Sequence, residues 1–95
     1  MLFRSLRIDT LAKLVRAGGA VLTLTPKEYA LLELLVRRRG CVLSRGQIFA
    51  QLYEIDSDVG DKVIEVLMST LRAKLSLAGI HDLIETRRGF GYVVA

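Results

Sequence analysis

Residues 25–40 read TPKEYALLELLVRRRG, and one amphipathic helix accounts for nearly every position. Thr25 supplies an N-cap oxygen and Pro26 takes the first helical position, where its missing N–H is no loss. Glu28 falls three residues after the cap, as a capping box requires. Tyr29, Leu32, Leu35 and Val36 recur at helical spacing, and Leu31 and Leu34 widen the stripe. Arg37, Arg38 and Arg39 fill the last turn, where cations complement the helix dipole, and Gly40 stops it. A stripe this wide must be covered, so the flanking segments have to supply a core.

Before this helix the apolar period is two rather than 3.6. LFRSLRID and LAKLVRA alternate, and Gly18-Gly19 makes a turn before AVLTL. The pattern predicts a small antiparallel sheet whose covered face takes Leu6, Ile8, Leu11, Leu14, Val21, Leu22 and Leu24. After it, CVL reads as a short extended link. Ser44 then caps a helix over 44–53 that turns Ile48, Phe49 and Leu52 inward. EIDSDVGD carries Glu54, Asp56, Asp58 and Asp61 with no cation and reads as an exposed acidic loop. A third helix is predicted over 61–77, capped by Asp58 or Asp61, with Ile64, Leu67, Met68, Leu71 and Leu75 as its stripe. Gly79 is its stop. LIET and GYVVA, joined through RRGF, form a closing hairpin.

The 95 residues suit one domain with a single core, and the 52% hydrophobic content is enough to fold it. A net charge of +4 favours a polyanionic partner, though only weakly. Cys41 is the sole cysteine, so an intramolecular disulfide is excluded and no Cys/His spacing suggests a metal. Within CVL it reads as a small buried hydrophobe. No apolar run approaches the roughly 20 residues of a membrane span. MLFRSLRIDT lacks the long apolar stretch of a signal peptide. No cofactor is called for.

Sheet, helix, helix, helix, hairpin is the outline of an α+β winged helix-turn-helix, in which the later helix enters a DNA major groove and the hairpin flanks it. LTPKEYALLELL, GCVLSRGQI, VIEVLMSTLRAKL and IETRRGFGYVV, in this order and spacing, closely resemble the DNA-binding output domain of OmpR/PhoB-type bacterial response regulators. The resemblance covers nearly the whole chain and includes the N-terminal sheet, which sets that family apart from other winged helices. It implies a transcription factor. Members usually carry a phosphorylatable receiver domain ahead of this module, and residues 1–95 hold only the winged-helix part.

The arc of the third helix opposite its apolar stripe holds Lys62, Val63, Glu65, Val66, Ser69, Thr70, Arg72 and Ala73. By resemblance Lys62 and Arg72 match basic DNA-contacting positions, and Lys74 is grouped with them. Val66 could touch a thymine methyl, and Ser69 or Thr70 could donate to phosphates or base edges. Two positions depart from the family: Leu67 stands where His is frequent, and Thr70 where Arg is frequent. The missing arginine removes a potential guanine contact worth about 1–3 kcal/mol of discrimination, so base preference should differ. Glu65 matches an acidic position and is expected to orient a neighbouring arginine.

The resemblance also implies that the hairpin is a wing, that Arg88 inserts into a minor groove and that Arg87 pairs with phosphate. Narrow A/T-rich grooves favour arginine. Gly89 and Gly91 give the tip positive φ and close approach to a backbone. Tyr92, Val93 and Val94 would anchor it. Arg45 and Lys27 lie near helix starts, where phosphate is favoured. The acidic loop, through Glu54, Asp56 and Asp58, matches a region that contacts RNA polymerase in some activators. Further implications are tandem binding of two copies on direct repeats of double-stranded DNA, and a cytoplasmic location.

No convergent catalytic constellation is legible, and the lone His81 lies beyond the third helix. The rival reading is a winged helix used for protein contact, favoured by the few cations on the third helix. RNA binding is disfavoured because Phe3, Phe49 and Tyr29 read as internal and only Phe90 is left outside.

Overall fold

A computed structural model describes residues 1–54 and 58–95. Four short strands, β1 (Leu2–Phe3), β2 (Leu6–Asp9), β3 (Leu14–Ala17) and β4 (Ala20–Leu22), form an antiparallel meander in chain order. Helices α1 (Pro26–Arg37), α2 (Arg45–Leu52) and α3 (Val63–Leu77) follow, and β5 (Ile84–Arg87) pairs with β6 (Gly91–Val94) as a hairpin. The fold is a winged helix-turn-helix with an N-terminal sheet.

The caps of α1 and α2 form as their residues dictate. The Glu28 amide donates to Thr25 Oγ1 at 3.3 Å and the Thr25 amide to Glu28 Oε1 at 2.8 Å. Ser44 and Gln47 repeat this box at α2, at 3.1 and 2.8 Å. At the end of α3 the Ile80 amide reaches back to Leu75 O and the Gly79 amide to Ser76 O, both 2.9 Å, with Gly79 at φ +80°. This is a Schellman stop.

The start of α3 differs from expectation. Neither Asp58 nor Asp61 caps it. The helix begins at Val63 after an N-cap Lys62 in helical conformation with no side-chain cap bond. Val63, Ile64 and Glu65 instead donate three residues back, to Gly60, Asp61 and Lys62, so a tight turn feeds the helix. The Asp61 carboxylate is engaged with Arg45.

The core joins Leu6, Ile8 and Val15 of the sheet, Leu31, Leu32, Leu35 and Val36 of α1, Ile48 of α2, Ile64, Met68, Leu71 and Leu75 of α3, and Val94 of the hairpin. The expected sheet face needs correction. Leu11 is 95% exposed, and Leu14 and Val21 also face out. Asp9 Oδ1 accepts from the Leu11 and Ala12 amides at 3.1 and 3.0 Å, which turns 9–12 into a loop. β3 therefore starts at Leu14, and the two-residue period sends Val15 and Ala17 inward.

Cys41 is also corrected: it is exposed. Gly40, at φ +86°, redirects the chain, its amide donates to Val94 O at 2.7 Å, and Leu43 is the residue turned inward. Leu43 and Tyr92 exchange backbone bonds at 2.8 and 2.9 Å. The link before α2 thus acts as a third, one-residue rung on the hairpin, which ties the wing to the helix-turn-helix.

Candidate nucleic-acid interface

α3 presents Lys62, Glu65, Val66, Ser69, Thr70 and Ala73 to solvent, while Val63 is half-buried against the core. Val66 is 63% exposed, an apolar side chain in the middle of a polar face. Thr70 Oγ1 donates to Leu67 O at 3.0 Å. Leu67 is buried, a core position rather than part of the exposed face.

The cations divide into engaged and unengaged groups. Arg72 Nη2 donates to Ile84 O at 2.8 Å and Thr86 Oγ1 at 2.7 Å, and its guanidinium lies over the Tyr92 ring at 5.6 Å. It braces α3 against the wing. Lys74 turns to the other side, where Nζ donates to Glu28 Oε1 at 2.7 Å. Burial alone would raise the Glu28 carboxyl, but the Lys74 ammonium and the Thr25 amide hold it below its ordinary value. Glu28 thus serves the α1 cap and anchors α3 at once.

Arg45 is held between Asp61, at 3.6 Å, and Glu65. The arginine that Glu65 orients is therefore the first residue of α2. Arg87 pairs with Glu85 across one strand position. Lys27 donates to Leu52 O and covers the Tyr53 ring at 4.3 Å. Of the three-arginine run, Arg37 bonds Glu33 at 2.8 Å, Arg39 caps Val36 O at 3.2 Å, and Arg38 is exposed. The side chains of Lys62 and Arg88 are exposed and make no ion pair or hydrogen bond among the described residues.

A cleft runs between the start of α2, the start of α3 and the wing. Its walls include Arg45, Asp61, Glu65, Arg87, Arg88 and Phe90. Phe90 N donates to Arg87 O at 2.9 Å and closes the wing turn, with Gly89 at φ +80°. Gly91 has a different duty: a Cβ there would lie 2.0 Å from Leu43 O, so its close approach is to the chain's own backbone. Glu54 and Asp58 are exposed at the ends of the acidic loop; Asp56 lies outside the described residues.

Sequence spacing missed the Arg72 brace, the Lys74–Glu28 pair and the Leu43–Tyr92 rung. Only Glu28 left a signal, since a capping-box glutamate on a helix with an apolar stripe so wide is drawn into the core. His81 sits apart from the cleft, with Nδ1 3.2 Å from Ser76 Oγ. Among the described residues no cluster of His, Cys, Asp and Glu could hold a metal, and no helix is long and apolar enough to cross a membrane.

Residues 19–94 match the family described as "Transcriptional regulatory protein, C terminal". The chain belongs to this family. Among its relatives, response regulator protein PmrA of Pseudomonas aeruginosa is 44% identical over 87 residues, 92% of this chain and 38% of PmrA. Response regulator ArlR of Staphylococcus saprophyticus is 45% identical over 87 residues, 92% of this chain and 40% of ArlR. The chain thus spans about two fifths of the length of these relatives. Its fold superposes on the AdeR DNA-binding domain, solved in complex with an intercistronic region, with a TM-score of 0.90 at 28% identity, covering 99% of this chain and 97% of that one. The Klebsiella pneumoniae RstA DNA-binding domain, solved with the RstA box, gives 0.86 at 30% identity, covering all of this chain and 95% of that one.

Proposed function

We propose that this chain binds double-stranded DNA sequence-specifically, as the output domain of a bacterial two-component transcriptional regulator acting in the cytoplasm. α3 enters a major groove and the β5–β6 wing a minor groove. The carrying observation is the wing tip, where Arg88 projects exposed and without a partner among the described residues from a turn anchored to the body through Gly91. The superposition on domains solved with DNA supports binding of DNA by this fold.

Lys62, Val66, Ser69 and Thr70 meet the major groove. Arg45 and Arg87 meet phosphates, exchanging their carboxylate partners for the polyanionic backbone with release of its counterions. Arg72 serves by holding the wing at its angle to α3, and Lys74 by holding α3 to α1, so neither is counted as a base reader. Two copies bind in tandem on direct repeats, with dimerisation driven largely by a receiver domain. The acidic loop, with Glu54, Asp56 and Asp58, faces RNA polymerase rather than phosphate.

Site selection from a random duplex pool tests this reading. A selected direct repeat with an A/T-rich flank, and loss of that flank preference in Arg88→Ala, is the expected result. Unchanged preference and affinity in Arg88→Ala would remove the wing from the groove. Exposed Val66 on a face poor in cations is the observation favouring a protein-contact module instead; that module would select no sequence from the pool.

A further inference from the structure

The wing tip exposes an aromatic ring that nothing in the fold requires. Phe90 is 75% exposed. Each of the other aromatic rings is engaged: Phe49 stacks on Tyr53 at 4.9 Å, Lys27 covers Tyr53, Arg72 covers Tyr92, Lys13 lies over Tyr29, and Arg4 and Arg39 lie over Phe3. Phe90 has no ring or cation contact among the described residues.

Its backbone is nonetheless held firmly. The amide closes the turn on Arg87 O, and the next residue, Gly91, is packed against the Leu43 backbone too closely to admit a Cβ. A ring on a fixed backbone loses little freedom when it docks. The surroundings indicate what it meets. Phe90 lines the cleft with Arg45, Arg87 and Arg88 and with Asp61 and Glu65, both of which pair with Arg45, and no other exposed large hydrophobic lines it. A protein partner would call for a contiguous apolar patch. A single ring among arginines suits a polyanion with apolar strips, and the deoxyribose walls of a DNA minor groove are such strips. Apolar side chains are a recurring device of minor-groove binders.

We propose that Phe90 is a direct apolar contact to DNA, its ring packed on the sugar wall of the minor groove that receives Arg88. This inference rests on the DNA-binding reading above. The test titrates the parent chain, Phe90→Ala, Phe90→Leu and Arg88→Ala against one selected duplex at several salt concentrations. An apolar contact releases no counterions. Phe90→Ala should therefore weaken binding about 5–10-fold at every salt while keeping the parent's slope of log K against log salt. Phe90→Leu should keep most of the affinity, and thermal melting of both should match the parent because the ring supports nothing. Phe90→Ala binding like the parent would overturn the inference alone. A slope flattened as in Arg88→Ala, or a lowered melting temperature, would make Phe90 a support for Arg88 and overturn it too. A parent chain with no salt-dependent binding would overturn the DNA reading and this inference together.

Discussion

Arg72 and Lys74 stand two positions apart on α3, and helical periodicity fixes only where their Cα atoms lie. Their long side chains end on opposite neighbours, the wing and the α1 cap. Arg72 donates to both acceptors from Nη2 while its planar guanidinium lies over the Tyr92 ring, a stacking a lysine does not reproduce, so Arg72→Lys should fail to restore all that Arg72→Ala loses. Both should weaken DNA binding by loosening the wing, which hydrogen exchange at β5 would report as faster opening. Lys74→Ala leaves the Glu28 carboxylate buried without its cation. We expect a loss of about 2–3 kcal/mol in denaturant unfolding, toward the low side for a buried pair because Lys74 is partly exposed. The salt slope of DNA binding should not change. The pH dependence follows from the same pair. Glu28 has a folded-state pKa below its ordinary 4.5, so its stabilisation is full above that value and is lost as pH falls through the lower folded value. Glu28→Gln should therefore be less stable than the parent at neutral pH and show a shallower acid limb.

At the scale of elements, glycines that look alike in sequence differ in duty. Gly89→Ala meets open space and suffers only from its φ of +80°, a cost of about 1–2 kcal/mol. Gly91→Ala places a Cβ 2.0 Å from Leu43 O and must pull the wing from the link before α2. Its melting temperature should fall well below that of Gly89→Ala; equal melting would contradict the anchored wing. Local chemistry made much of the fold legible. The caps of α1 and α2, the Gly79 stop and the hairpin are each determined by residues no more than ten positions apart in the sequence. What escaped was set from a distance or by competition. Asp61 is drawn to Arg45 and leaves α3 uncapped, Asp9 claims two amides and shifts β3, and Leu43 turns inward to meet Tyr92, leaving Cys41 outside. In the candidate site the wing tip was legible because Arg88 and Gly89 act locally. Arg45 and Arg72 were not, because their partners lie 12 to 20 positions away along the chain.

The whole molecule carries a net charge of +4, and five of its 14 lysines and arginines are paired with carboxylates among the described residues. Arg45 faces two carboxylates, while Arg37, Arg87 and Lys74 each face one. On the proposed reading, affinity depends on a few placed phosphate and groove contacts and on a second copy bound beside the first. A covalent tandem of two copies should bind a direct repeat far more tightly than one copy does, with a gain that vanishes when the spacing is shifted by half a helical turn. The most direct test of the central claim is fluorescence anisotropy of this tandem on its selected repeat across a salt series, beside the tandem carrying Arg88→Ala. The account predicts a steep fall of affinity with salt and a slope shallower by about one per copy in the variant. A parent that binds without salt dependence, or a variant with the parent's slope, would contradict it.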